Sequence, residues 1–571
     1  MPLTSLPETI TVLDVSQFTY AERVCAAALQ GLVNRSSPSL YLDYGIYDDP
    51  AARRTNEVFL DEELWQTKYR ALLGNQDQRN LAYYQQKYGF TLAPSTDLPG
   101  LVARHIHELN GLVVWDEALP DTVNIALMLA ARENLLPVTA AMADAYTNLG
   151  LAIKHDLRGR WQERVSLYRW AFDNLFNGCK PGYAACVEPG WQRPEFLDYI
   201  VQQQLFVYSL SATAGGLGSR LLLLLAFGPP YLREFLFALR LDGLFRKFAL
   251  AWMGLRSAEV RLSNRIQRAV KALPYPTLFG WHTRRDDELA FMLQLTSNGL
   301  RLVPSHLAGN FSFHGGLPSR AIPQEPPAPA PVLDPQGIYL TFTLSDGDQL
   351  MMMHTAELGN WSSPLRGRVP FNWEVQPLLH TIAPALLERY TSSAVPNDCL
   401  IAGPSGAGYI VPPLAPRLGA YMDETTRVCA QTGISVVTTY VADPPARVMR
   451  QLASHRGSLT GYLAGYAVVT RAPMQMINGM PVLANRFPSV EQIALKAPDL
   501  LAKIREAVET QLKTQRNTPV FIGVHLFAYR TTYEDIVRFV ESLPREHVHT
   551  VRADEFILLF QESDRRKQSG K

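Results

Sequence analysis

The sequence predicts an α/β protein, with N-terminal βαβ-type domains followed by a C-terminal (β/α) barrel-like domain. Three observations lead to this reading. The first 150 residues alternate short β-rich runs with helix-like segments. Eight β-like runs then recur from Thr277 onward with helical segments between them, over roughly the 250 residues a barrel takes. Polar residues follow several of those runs directly, as they do where parallel strands deliver chemistry to one rim.

Taken in chain order, residues 9–15 are β-rich, and residues 20–34 are helix-like with an Ala-rich face. Residues 40–44 form a second strand and residues 112–115 a third. Asp121 then stands as N-cap of a helix over 123–133, which leads to a strand at 136–139. Strands alternating with helices imply parallel sheets covered on both faces. Residues 156–176 read as a helix in which Trp161, Tyr168 and Trp170 pack, and residues 195–272 read as mostly helical. The barrel runs are 277–281, 300–304, 338–344, 369–375, 399–402, 435–441, 459–466 and 519–525. The expected division is an α/β region at 1–150, a mainly helical subdomain at 151–265 and the barrel-like domain at 266–562. The Pro-rich stretch 318–335 becomes a loop between the second and third barrel strands. A doubly wound sheet is the alternative, since periodicity alone does not separate the two.

Composition narrows the function classes. The chain has 571 residues, 54 Lys and Arg against 53 Asp and Glu, and 47% apolar residues. That excludes a disordered chain, a collagen and a disulfide mini-protein. A net charge of +1 lacks the electrostatic footprint of a nucleic-acid binder. No apolar run approaches the ~20 residues of a membrane span, and residues 1–8 have neither a basic nor an apolar signal region. The expectation is therefore a cytoplasmic protein with no nucleic-acid or membrane partner. Five scattered cysteines read as buried free thiols rather than a zinc site.

The chemistry is expected at strand ends. The run 338–344 is followed by Ser345-Asp346-Gly347-Asp348-Gln349. Two carboxylates around a glycine can converge on a cation or on sugar hydroxyls, or act in acid–base catalysis with Glu374 as partner. The competing reading is a turn in which Asp346 caps local amides. His282 and His525 follow or end strands and are candidate substrate contacts. The segment Gly403-Pro404-Ser405-Gly406-Ala407-Gly408-Tyr409 lacks the Lys-Ser/Thr pair of a Walker loop and the third glycine of a dinucleotide fingerprint. It reads instead as an exposed, rigid loop offering Ser405, Gly406, Gly408 and Tyr409 to a sugar through bare amides and a ring. Asn310, Ser312 and His314 form a further polar cluster. No Gly-x-Ser-x-Gly elbow is present at a strand–helix junction.

These motifs resemble the GxGYxYP family of glycoside hydrolases. Its name-giving motif stands here as Gly406-Ala407-Gly408-Tyr409-Ile410-Val411-Pro412, with Val411 in place of the second Tyr. The Ser345–Gln349 element is similar to the family's Ser-Asp-Gly-Asp-Asn. Leu29-Gln30-Gly31-Leu32-Val33-Asn34-Arg35 and Asn310-Phe311-Ser312-Phe313-His314 look similar as well. The resemblance implies a small α/β N-terminal region, a barrel-like C-terminal domain and a role in carbohydrate processing. The expected function is a carbohydrate-active hydrolase using Asp346, Asp348 and Glu374, with a carbohydrate or other small polar ligand and no cofactor. A metal-dependent hydrolase or deacetylase, with a divalent cation on the carboxylate and histidine groups, is one alternative. A non-catalytic glycan-binding protein is the other.

Overall fold

The computed structural model describes residues 6–45, 76–191, 194–212, 216–271, 274–306, 308–319, 323–326, 332–344, 350, 361–441, 443–465, 474–488, 492, 495–514, 517–526 and 531–570. Three small parallel sheets precede the barrel. Strands β1 (Thr9–Asp14), β2 (Leu40–Asp43) and β3 (Thr91–Ser95) pair in the order β2-β1-β3. Strands β4 (Gly111–Val114), β5 (Leu135–Val138) and β6 (Ile153–Asp156) pair as β5-β4-β6. Strands β7 (Tyr183–Cys186), β8 (Phe206–Tyr208), β9 (Thr277–Gly280) and β10 (Arg301–Pro304) pair as β10-β9-β7-β8. The first helix, Tyr20–Val33, starts where Thr19 and Glu22 cap one another, and its Ala-rich face is buried as expected.

Two local expectations change. The predicted helix over 156–176 starts only at Arg164, because residues 153–156 lie in β6. Asp121 occupies the N-cap position, but its carboxylate makes no cap. It accepts the Tyr168 hydroxyl at 2.9 Å and pairs with Arg164 at 3.1 Å, so tertiary partners outcompete the local amides. The stretch 151–265, though mostly helical, also contributes β6, β7 and β8.

The barrel itself is built from β11 (Ile338–Leu344), β12 (Phe371–Val375), β13 (Asp398–Ala402), β14 (Val436–Thr439), β15 (Gly461–Ala464), β17 (Met480–Phe487) and β18 (Val520–Leu526). All seven are parallel, and β11 closes the ring by pairing with both β18 and β12. Outside the ring, β16 (Gln475–Ile477) runs antiparallel to β17, and β19 (Val548–Thr550) pairs with the start of β11. The expected set of eight strands is thereby corrected. The runs near Thr277 and Arg301 form β9 and β10 of the four-stranded sheet, not of the barrel. The barrel gains β17, which the sequence reading did not contain.

Side chains alternate between the two faces of these strands. Ile338, Leu340, Phe342, Trp373, Val375 and Val524 belong to the large core shared with the surrounding helices. Tyr339, Cys399, Ile401, Val436, Leu463, Leu483 and Phe521 form a separate apolar cluster within the lumen. The C-terminal helix, Ala553–Gln568, packs into that cluster through Phe556, Ile557 and Leu559. The amide of Ala553 donates to Asn372 Oδ1, and the Asn372 Nδ2 group reaches Thr341 and Thr343, so the helix start is tied to the barrel wall. This end of the lumen is thus filled by hydrocarbon. Truncating the fully buried Phe556 to Ala leaves a cavity there and should cost about 3–5 kcal/mol. The measurement is the urea midpoint, expected to fall with no change in slope.

Candidate active site

Continuing along the inward-facing positions toward the strand C-termini, the lumen turns polar. β11 contributes Thr343, β12 Glu374, β14 Thr438, β17 Asn485 and β18 His525, all buried. Thr438 Oγ1 donates to Glu374 Oε1 at 2.6 Å. Those two strands are not neighbours, since β13 lies between them. Contact across β13 works because Gly403, just past its end, has no side chain: a Cβ there would overlap both Glu374 Oε1 and Thr438 Oγ1. On the other side of Glu374, its Oε2 lies 3.7 Å from His525 Nε2, with both side chains fully buried. Burial pushes the His525 imidazole down to about 3, so the ring is neutral at pH 7. The contact is therefore between a carboxyl group and a neutral ring, not an ion pair. Asn485 Nδ2 donates to the Gly465 carbonyl at 3.1 Å, which fixes its amide at the same end.

Of the expected site residues, Glu374 and His525 come together. Asp346 and Asp348 lie outside the described residues. His282 stands elsewhere: it follows β9, at the C-terminal edge of the four-stranded sheet. There its Nδ1–H donates to the Thr283 carbonyl at 2.8 Å, and its ring sits against Trp191 and Trp281. It is not part of the barrel rim, because its strand is not part of the barrel.

The loop of Ser405, Gly406, Gly408 and Tyr409 is also not what its composition suggests. It is buried, and the amides of Ser405, Ala407, Gly408 and Tyr409 are occupied. Ser405 N donates to Thr438 O, Ala407 N to Thr425 Oγ1, Gly408 N to Gln376 Oε1 and Val411 N to Thr296 Oγ1. Tyr409 exchanges both backbone hydrogen bonds with Leu302, at 2.7 and 2.9 Å, and so adds to the exposed edge of β10. Its hydroxyl donates to Glu288 at 3.0 Å and its ring packs on Tyr440. Gly408 has φ +92°, and a Cβ there would press on the Arg301 side chain. Arg301 is buried and donates to Thr277 Oγ1 and to the Ala407 carbonyl, with Glu424 at 3.7 Å. The loop is a joint between barrel and sheet. The bare amides and open ring expected of a sugar site are absent because that joint uses them.

Residues 29–35 and 310–314 bind each other. Gln30 Nε2 donates to Asn310 Oδ1 at 2.6 Å and Asn34 Nδ2 to Ser312 Oγ at 3.1 Å. Asn310 also exchanges hydrogen bonds with the backbone of Leu42. His314 Nδ1 pairs with the Tyr84 hydroxyl at 3.0 Å. Polarity in that cluster serves the junction between β2 and the loop after β10.

Sequence reasoning missed Thr438 and Asn485. Thr438 alternates with Val437 in a recognised strand, so its inward face was available from period two. Asn485 was lost with β17. The Asn478-Gly479 pair before that strand, with φ of +48° and +76°, is the hairpin signal that marks it.

A closed parallel barrel with one end filled by apolar side chains and polar groups gathered at the strand C-termini defines a barrel protein of the kind that places active sites there. Residues 336–561 match the family model described as "GxGYxYP putative glycoside hydrolase C-terminal domain", and residues 109–179 match the "GxGYxYP_N second domain". The two matches cover just over half of the chain, which belongs to the GxGYxYP family. A crystal structure described as a "putative hydrolase" from Bacteroides thetaiotaomicron VPI-5482 superposes with a TM-score of 0.72. It is 17% identical, and the match covers 98% of this chain and 95% of that one. At that identity the likeness shows a shared fold. A search of curated proteins finds no match.

Two outcomes follow from this geometry. Tyr409→Phe removes one hydrogen bond to Glu288 and nothing accessible to a ligand. Stability should fall by about 1 kcal/mol, by urea titration, with sugar affinity unchanged. His525 and His306 are both held neutral by burial at about 3, against an ordinary value of 6.5. The unfolded chain therefore binds more protons between those values, and stability is full above pH 6.5 and falls as the pH drops toward 3. Urea midpoints measured from pH 7 to 4 should decline, and less steeply in His525→Asn.

Proposed function

We propose that this protein is a glycoside hydrolase whose reaction takes place at the polar end of the barrel lumen. The observation that supports this reading is Glu374, a carboxyl group inside the barrel, oriented by Thr438 on one side and flanked by neutral His525 on the other. A glycosidase needs a second carboxylate near the first, one acting as proton donor and the other as nucleophile or base. Asp346 and Asp348 are assigned to supply it. They follow Leu344, the last residue of β11, and β11 pairs directly with the strands of Glu374 and His525. Asn485 and His525 are the groups that would read sugar hydroxyls, the neutral ring offering one donor and one acceptor. Among the described residues no three His, Cys, Asp or Glu side chains form a metal-ligand set.

The test is turnover on a panel of aryl glycosides and oligosaccharides. Glu374→Gln should lower kcat by about 10²–10⁴-fold with KM little changed, as expected for a lost proton donor or nucleophile. Asp346→Asn and Asp348→Asn are compared in parallel, and one of them should match that loss. Wild-type rates in all three variants would overturn the assignment. Loss of activity on treatment with EDTA would move the reaction to metal-dependent hydrolysis instead.

A further inference from the structure

Exposed apolar side chains are concentrated in one stretch of the chain. Among the described residues nine large apolar side chains are exposed, and seven of them lie between Leu217 and Leu255. The helix Pro230–Ala238 carries Tyr231 and Phe235 on one stripe, continued by Leu239 just past its end. The helix Asp242–Arg256 carries Leu244, Phe248 and Leu255 on another. The spacings of four, and of eleven, keep each set on one helical face. Tyr231 is 78% exposed and Leu255 74%, values that ordinary core packing does not leave. The opposite faces are committed to the protein: Leu222, Leu236, Leu250 and Met253 are buried.

Charge around these stripes is predominantly positive. Arg220, Arg240, Lys247 and Arg256 are exposed, and none has a carboxylate within ion-pair distance among the described residues. Arg256 lies over the Trp252 ring, beside Phe248. Two acids lie on the same helices: Asp242 meets Arg447, and the exposed Glu234 accepts the Ala446 amide, which leaves the cations in excess. Aromatic and Leu side chains with free cations beside them suit an anionic lipid surface, where rings enter the headgroup region and cations meet phosphate. A second copy fits less well, because a two-fold contact would bring the free cations of both copies together. Among the described residues no single helix is long and apolar enough to cross a membrane; helices Leu217–Phe227 and Pro230–Ala238 reach that length only as a pair, and they meet at 93°, so the surface is read as lying on a membrane.

We propose that the 217–256 helical surface docks peripherally on membranes rich in anionic lipid. This differs from the expectation of no membrane partner, which rested on the lack of a spanning segment. The test is flotation of the full chain with vesicles of phosphatidylcholine alone or mixed with phosphatidylglycerol, alongside light scattering. Binding should require phosphatidylglycerol and weaken with added salt. Phe235→Glu with Phe248→Glu should abolish it. Arg240→Glu with Arg256→Glu should weaken it by roughly 25-fold or more, at about fivefold per cation lost. Thermal melts of both double variants should match wild type, since the altered side chains are exposed. Equal binding to neutral vesicles, or none to either kind, overturns the proposal. A dimer dissolved by the Phe235→Glu, Phe248→Glu pair, with no vesicle binding, assigns the surface to a second copy.

Discussion

The buried guanidinium of Arg301 is the contact on which the relation between barrel and sheet depends. It sits at the start of β10, the edge strand of the four-stranded sheet, where an open edge would leave backbone groups unpaired. A buried cation costs several kcal/mol unless acceptors surround it. Here Thr277, the Ala407 carbonyl and Glu424 supply them, one from the sheet, one from the loop after β13 and one from a barrel helix. The same loop then covers the edge through Tyr409 and Leu302. One charge and one strand edge thus require the Gly-x-Gly-Tyr segment to lie where it does. Gly408 answers the same demand, because a side chain there would displace Arg301. The name-giving motif is, in this chain, a structural joint that brings the C-terminal end of β13 against β10.

The barrel lumen divides along its axis by chemistry. Its lower portion, where the strands start, is closed by aromatic and aliphatic side chains and by the helix Ala553–Gln568. Its upper portion has Glu374, Thr438, Asn485 and His525. Removing water from the lower portion gives the upper one a low-dielectric floor, which strengthens every electrostatic contact made on it. The neutrality of His525 is a direct result. The lack of a side chain at Gly403 lets a carboxyl group from one strand reach a hydroxyl two strands away, so Glu374 is held from across β13.

Much of this was readable from sequence, and the failures have physical causes. Helix Tyr20–Val33, β1, β2, β4 and β5 follow from caps and short apolar runs, where local signals and tertiary environment agree. Glu374 and His525 were legible because each ends an apolar run that lies in a closed parallel barrel. β9 and β10 were read as barrel strands because a buried parallel strand looks the same in an open sheet and in a closed one; only pairing distinguishes them. β17 was missed because Pro481 and Asn485 interrupt its apolar pattern, although an Asn-Gly turn announces it. Tyr409 was read as a sugar platform because loop composition resembles exposure. Its burial is decided by Leu302 and Glu288, which are more than a hundred residues away in sequence.

The balance of 54 basic against 53 acidic residues conceals how unevenly the charges are spent. Inside, several buried acids are matched to arginines. Glu188 meets Arg284 and Arg285, Asp398 meets Arg366, Asp554 meets Arg552, and Glu424 meets Arg301 and Arg427. Burial favours this matching, since an unpaired ion in the interior costs far more than a surface pair returns. The surface is under no such constraint, so any excess can collect there, and the helices over 217–256 carry four exposed cations without an ion-pair partner among the described residues. A net charge near zero therefore argues against a broad electrostatic footprint but not against a local one. The decisive quantity is which charges remain after the interior has claimed its pairs, and that becomes visible only once the fold is known.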